Sequence, residues 1–460
     1  MSARVLRIEL KRSAAAWAAA VALATALAFL CLIPGPWWDG TARWTAQWTS
    51  LALWTRMLLA FLWPLALGFG ALQGLRDHRS AMGELLASTP RPARHRAATL
   101  VGATAIALAS AFALLSLIGA VQVFAGSAYA HLGWLPIPLV GVLALVAGAV
   151  LGMGVGRALP SPLTPPALAV VALACTTLLR LSSDPAVPTG AVPIRFALLS
   201  PGVAPVREVL LTLSASVHVG QTVWLTGVAV TGFALMLAAS RRARFMALVP
   251  VLAGAAVALL ILPSDPRRAY VVDEAAAAQV CEGPVCVTRL HQARLAELAA
   301  PGKEALRLLR QTLGSRAPVS IREATAPRST SDDLERSRTS VLVDFDDGAV
   351  STVKGEDLTR ALLGQGLAPH CFPRTTVSSS GMPSETAAQS IAAGWVLGEL
   401  APIRGTQHSA SDLTAQAEPV WKRLKALPPA EQRARVHAAH TAALLCTADP
   451  LYVLSGGETP

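Results

Sequence analysis

The sequence predicts an α-helical polytopic membrane protein of about seven transmembrane helices, followed by a small α+β domain outside the cytoplasm. Three observations predict it. First, seven apolar stretches, roughly 14–34, 51–73, 98–124, 136–156, 165–182, 218–239 and 246–263, approach or exceed the 18 or so residues that mark a membrane-crossing helix. Second, arginines sit on alternate connections between them. Third, the balance of charge changes near residue 263. Residues 1–263 hold 18 Arg and Lys against 6 Asp and Glu, and residues 264–460 hold 21 against 22. Only 15% of the chain is charged and 53% is hydrophobic, with a mean hydropathy of +0.49. A soluble protein carries about a quarter charged residues.

The net charge of +11 therefore belongs to the membrane half. It is a topology signal, and no nucleic-acid partner is expected from it. With a cytoplasmic N-terminus, 13 of the 18 cations fall on the cytoplasmic side: Arg4, Arg7, Lys11 and Arg12, the five of the 74–97 connection, Arg157, and Arg241, Arg242 and Arg244. Seven crossings then put 264–460 outside the cytoplasm.

Residues 1–13 place Val5 and Ile8 against Arg4, Arg7 and Lys11, as a short amphipathic helix on the cytoplasmic leaflet or as an unstructured basic flank. The first span starts like a signal peptide but is too long and has no small-x-small cleavage site, so it reads as an anchor. Trp37, Trp38, Trp44, Trp48 and Trp54 follow it as an aromatic belt, and Trp44 and Trp48 are spaced for one face of an interfacial helix. Arg56 lies about one and a half turns inside the second span. An intramembrane cation has three readings: snorkelling to headgroups, a structural partner, or a place on a substrate path. In the 74–97 connection, Leu75, Met82, Leu85 and Leu86 share a helical face, and Arg76, Asp77, Arg79 and Glu84 are polar. Pro90 and Pro92 stop that helix. Such a helix suits docking against a soluble partner. The outer connection 183–217 ends in the apolar run 206–213, too short to span and expected to re-enter or lie on the leaflet.

In 264–460, Ala317–Glu323 and Ser340–Phe345 have strand-like alternation, and Asp347-Gly348 is a hairpin turn signal. Helical patterns cover roughly 289–315, 383–400, 411–426 and 429–446. Four of the six cysteines, Cys281, Cys286, Cys371 and Cys446, fall here, an even number that reads as a disulfide framework. Of the three pairings, Cys281–Cys286 with Cys371–Cys446 is favoured, because the first pair closes a small loop.

No catalytic motif emerges, so the chain is not expected to be an enzyme, and neither cofactor nor metal is expected. Asp344-Phe345-Asp346-Asp347-Gly348 has calcium-loop composition with the wrong spacing and no closing Glu, and reads as a strand end and turn. His437-x-x-His440 lacks the glutamate of a peptidase helix and reads as a surface pair. Gly302-Lys303 is followed by Glu304, so no phosphate-binding loop is present, and any ATP hydrolysis must come from another subunit.

The lead Leu6-Arg7-Ile8-Glu9-Leu10-Lys11-Arg12-Ser13 and the connection Arg76-Asp77-His78-Arg79-Ser80-Ala81-Met82-Gly83-Glu84-Leu85-Leu86-Ala87-Ser88-Thr89-Pro90-Arg91-Pro92 resemble those of ABC-2-type transporter permeases of GC-rich bacteria. The resemblance covers about residues 2–240. It implies a plasma-membrane subunit of an ATP-driven export complex, homodimeric or paired with a second permease. A separate ATPase would dock on a coupling helix formed by Arg76, Asp77, Arg79 and Glu84. It also implies re-entrant outer helices at 183–217. A seventh span and a large disulfide-bearing domain depart from the six-span family pattern, so a membrane-anchored extracytoplasmic binding or sensor protein is the alternative.

Overall fold

The computed structural model describes residues 15–38, 42–79, 92–126, 129–182, 192–204, 208–326, 335–371 and 382–457, without the side chains of Asp77 and Arg79. The expected N-terminal amphipathic helix and most of the 74–97 connection, Glu84 included, lie outside these residues. The chain forms two compact units. One is made mainly of 43–206 and 212–271 with the N-terminal segment, the other mainly of 272–460 with 207–211.

The membrane unit is helical: α1 (Ala15–Leu32), α2 (Trp48–Met57), α3 (Leu59–Gly74), α4 (Ala93–Gly126), α5 (Pro136–Ala158), α6 (Thr164–Ser182), α7 (Ala215–Leu237) and α8 (Val249–Ile261). Among the described residues six helices are long and apolar enough to cross a membrane, α8 together with the short helix Arg241–Met246 before it. The bent pair α2 and α3, at 48°, makes up to seven. The helix is thus bent at Leu58 where the sequence predicts one continuous span.

Within α3, Pro64 has no N–H for the carbonyl of Ala60, four residues back. The hydroxyl of Thr176 on α6 donates to that carbonyl at 2.9 Å. A backbone acceptor freed by proline is thereby satisfied by a neighbouring helix, as a dry environment requires.

Helices α3 and α5 meet through glycine. A Cβ added at Gly70 or Gly74 would overlap the carbonyls of Ala149 or Met153, and one at Gly152 or Gly156 those of Leu67 or Ala71. The four-residue spacing on both helices keeps the small residues on one face. Close backbone approach replaces the hydrophobic driving force that lipid does not supply. Gly227 of α7 likewise lies against Gly254 of α8, their nearest atoms placed so that a Cβ would meet Cα at 3.3 Å.

The aromatic belt is only partly interfacial. Trp37 stacks on Phe29 at 4.4 Å, Trp48 stacks on Trp134 at 5.2 Å, and Trp54 is fully buried. Trp44 precedes the helix that Trp48 starts, so the two do not share a helical face. The outer connection contains the short helix Ile194–Ala197, and Leu211–Leu213 (β1) pairs with Tyr270–Val272 (β2) as a two-stranded sheet. The expected re-entrant run therefore ends in a strand. β-Branched Thr212 and the flanking leucines suit that conformation.

The C-terminal unit is α+β. Its four-stranded sheet has the order β3 (Gln279–Glu282), β4 (Val285–Thr288), β5 (Ser320–Glu323), β6 (Ser340–Val343). β3 and β4 are antiparallel, whereas β4, β5 and β6 are parallel. The helices are α9 (Leu295–Leu313), α10 (Gly355–Leu367), α11 (Pro383–Leu397), α12 (Ala410–Ala426), α13 (Pro429–Leu445) and α14 (Pro450–Ser455). Leu298, Ala305, Leu309 and Leu313 share the buried face of α9 and join Ile321, Val341, Leu362 and Ile391 in one aliphatic core.

The hairpin expected at Asp347-Gly348 does not form. The Asp347 carboxylate accepts from the Ala349 N–H at 2.9 Å and caps the short helix Gly348–Ser351, an N-cap role that competes with the turn for the same Asp-Gly pair. The hairpin of this unit is instead β3–β4, tied by Cys281–Cys286, which face each other in register. Cys371–Cys446 closes the second bridge across 75 residues. Both bridges are those favoured from the sequence.

Candidate functional site

Two polar centres stand out, one in each unit. In the membrane unit, Arg56 is 1% exposed. Its Nε donates to the Pro201 carbonyl at 2.9 Å, Nη1 to the Ile137 carbonyl at 3.2 Å and Nη2 to Gln221 Oε1 at 2.6 Å. The Gln221 amide nitrogen donates to the carbonyls of Leu198 and Ser200 at 2.9 and 3.1 Å. One guanidinium thus ties α2 to the start of α5, to the 198–201 segment and to α7. Among the described residues no carboxylate pairs with it. Neutral dipoles carry the charge, which suits Arg because its fork of N–H donors can reach several acceptors at once. Among the readings open at Arg56, the structure supplies structural partners for its guanidinium.

The segment expected to be a coupling surface is described only at its start. Arg76 begins the four-residue helix Arg76–Arg79 and is exposed. The side chains of Asp77 and Arg79, and all of Glu84, lie outside the described residues.

The second centre is a cleft of about 190 Å³ in the C-terminal unit, lined among others by His291, Glu323, His370 and His440. Glu323 ends β5 on the same face as Ile321 and is 5% exposed. Its Oε1 lies 2.7 Å from His291 Nδ1 and its Oε2 accepts from the Thr288 N–H at 2.7 Å. The His291 ring packs on Phe345 at 4.6 Å. Nδ1 therefore carries the proton shared with Glu323. Nε2 has no protein partner among the described residues.

His370 and Glu385 repeat the pairing deeper in the fold. His370 Nδ1 lies 3.3 Å from Glu385 Oε2, and His370 Nε2 accepts from the Gln389 amide at 3.1 Å. Burial opposes ionisation of Glu385. Hydrogen bonds from His370 and from the N–H groups of Cys371 and Met382 outweigh it and hold the carboxyl below its ordinary range. His440 is 6% exposed, and its Nδ1 meets the Leu367 carbonyl at 3.2 Å. Burial pushes its pKa down, with Arg316 and His437 adding to that direction.

The His437–His440 pair is thus not a surface pair. His440 is buried, and His437 accepts from Arg316 at 2.7 Å and donates to the Thr312 carbonyl at 3.1 Å. Both rings are held by protein. Among the described residues no group of three or more His, Cys, Asp or Glu is arranged to hold a metal ion. Asp344 and Asp346 form the expected turn, with the Asp346 N–H donating to Asp344 Oδ1 at 2.8 Å.

Sequence reasoning missed both carboxylate–imidazole pairs. The signal was present: strand alternation puts Glu323 on the Ile321 side, and Glu385 is the third residue of a helix begun by Pro383. A carboxylate on a core face needs a partner.

No family model, no curated protein and no solved structure matches this chain.

Proposed function

We propose that this chain is the membrane-spanning subunit of an ABC-2-type ATP-driven export complex in the plasma membrane. A separate ATPase docks on the 74–92 connection, and the C-terminal unit lies outside the cytoplasm. The observation that carries this reading is the arrangement around the second span. An apolar helix pair, bent by 48° and anchored by Arg56, runs directly into the short helix Arg76–Arg79, where Arg76 is exposed. A push at that helix is delivered to a broken span whose upper part is tied to two other spans, which is the mechanical layout of a two-state device. The two disulfides fit an oxidising compartment for the C-terminal unit.

The test is purification in mild detergent from the native host, followed by assay of ATP hydrolysis. The expected result is a co-purifying ATPase whose association falls at least about tenfold with Arg79→Ala and Glu84→Ala combined, or about 1.4 kcal/mol. Unchanged association would remove this surface from the account.

A second reading rests on the histidine-lined cleft: a membrane-anchored extracytoplasmic binding or sensor protein whose spans serve as scaffold. It is favoured if the purified chain carries no ATPase and the spans tolerate Arg56→Gln without loss of function.

A further inference from the structure

The short helix Arg241–Met246 that precedes α8 carries three arginines and two large apolar side chains. The Ser240 hydroxyl accepts from the Ala243 N–H at 3.1 Å and starts it. Arg244 Nη1 donates to the Ala158 carbonyl at 2.9 Å, which pins the helix against the end of α5. Arg241, Arg242 and Arg244 are all exposed. The sequence from 209 to 264 contains no Asp or Glu, so no carboxylate on their own helix competes for them.

This helix and α8 together have the length and composition of one span, Arg241–Ile261. Along it Phe245, Val249, Leu252 and Leu260 are 62%, 50%, 67% and 81% exposed and are spaced for a single helical face. On a membrane-crossing helix an aliphatic face this open meets acyl chains, which are as apolar as leucine. Arg241 lies one turn before Phe245 on that same face, its guanidinium 5.9 Å from the ring centroid. The arginine turn thus stands at headgroup depth on the lipid-facing side, directly above the apolar stripe.

We infer that Arg241, Arg242 and Arg244 bind an anionic phospholipid, whose phosphate is held by the guanidiniums while its acyl chains lie along Phe245, Val249 and Leu252. A guanidinium presents five N–H donors in a planar fork that matches phosphate oxygens two at a time. Arg244 therefore keeps donors for a phosphate while it holds the Ala158 carbonyl. A soluble partner would meet the arginines but not the stripe beneath them, which lies at membrane depth. This inference goes beyond the transport reading and holds whether or not an ATPase docks.

The test is native mass spectrometry of the full-length protein released from non-ionic micelles that hold phosphatidylglycerol and phosphatidylcholine in equal amounts and with identical chain lengths. The expected result is bound phosphatidylglycerol in at least about tenfold excess over phosphatidylcholine, since each arginine near a headgroup contributes about fivefold. Replacing all three arginines by Gln should erase the excess. Because that variant also removes the tie to Ala158 and can fail to fold, Arg241→Gln, which leaves the tie, is the second arm and should lower the excess about fivefold. Phe245→Ala should reduce the binding of both lipids and leave their ratio unchanged, as a site for acyl chains requires. Soluble glycerol phosphate in excess, which offers the headgroup without the chains, should leave the bound lipid in place. Equal binding of the two lipids overturns the inference, as does an excess untouched by Arg241→Gln. Displacement by glycerol phosphate, or lipid binding indifferent to Phe245→Ala, overturns the lipid as the occupant.

Discussion

In the membrane unit α3 and α5 touch through glycine, whereas in the C-terminal unit α9, α10 and α11 touch through leucine, isoleucine and alanine. The contrast follows from solvent. Water drives aliphatic side chains together and rewards burying their area. Lipid tails are as apolar as leucine, so helices in a membrane associate through close backbone contact and a few polar ties. Gly70, Gly74, Gly152 and Gly156 supply the first, and Arg56 with Gln221 supplies the second. The C-terminal unit instead buries its polar groups as carboxylate–imidazole pairs and adds two covalent bridges. What holds a unit together thus reports the medium it sits in.

The largest effect expected is from the bridges. Replacing Cys371 and Cys446 by Ser opens a loop of 75 residues and should cost the C-terminal unit about 4 kcal/mol on the loop-entropy estimate. Replacing Cys281 and Cys286, five apart, should cost about 2 kcal/mol. Limited proteolysis of the unit with and without reductant measures both. Equal effects would show that loop closure is not what these bridges contribute.

The next comparison sets two substitutions to alanine side by side. Leu309→Ala removes carbon from an aliphatic core and should cost about 3 kcal/mol through the cavity it leaves. Gly152→Ala adds a single carbon at the α3–α5 contact and should cost about 2 kcal/mol by forcing the backbones apart. Thermal unfolding in detergent and proteolysis report the two. A silent Gly152→Ala would break the contrast on the membrane side.

Arg56→Met should cost about 2 kcal/mol, because the carbonyls of Pro201 and Ile137 and the amide oxygen of Gln221 lose their donor. Arg56→Lys should recover only part of this, since one ammonium cannot span the three acceptors. Detergent-phase melting of the two variants beside the parent chain checks the order.

The smallest effect is that of pH, and it sharpens the contrast because it concerns the C-terminal unit. His440 has a folded pKa below its ordinary 6.5, so the unfolded chain binds the proton first. Stability from this group is full above pH 6.5 and declines as pH falls below it. Glu385 is also depressed, so its contribution is present above its ordinary 4.5 and is lost as pH falls through the folded value. Both signs agree: acid should destabilise the unit in two steps, the His440 step first. His440→Gln should remove the first step and leave the second, as followed by tryptophan fluorescence.

Much of the membrane unit was legible as a list of spans, because an apolar run of bilayer length has few other uses. Their packing was not. The break at Leu58 and the handover of the Ala60 carbonyl to Thr176 depend on what lies beside the helix, which no local pattern encodes. In the C-terminal unit four helices, α9, α11, α12 and α13, and both disulfides were readable, but α10 and the short α14 were missed. The helix begins in Gly355-Glu356-Asp357, and its glycines, Gly364 and Gly366, lower its propensity. It forms because Leu358, Leu362 and Leu363 are buried in the core. Strands β3 and β4 were missed because a five-residue disulfide loop hides a hairpin of only four residues a side. Arg56 stood out as a cation within an apolar span, whereas its three acceptors could come only from the fold. The His291–Glu323 pair joins residues 32 apart, and only the alternation of β5 hinted at one half of it.

The claim beneath this account is that the two units face different media, with residue 460 across the bilayer from the 74–97 connection. The direct measurement is to place one epitope after residue 460 and another within residues 80–91, then probe intact and permeabilised cells. The account predicts that the first epitope is reached from outside in intact cells and the second only after permeabilisation. Equal shielding of both in intact cells would contradict it.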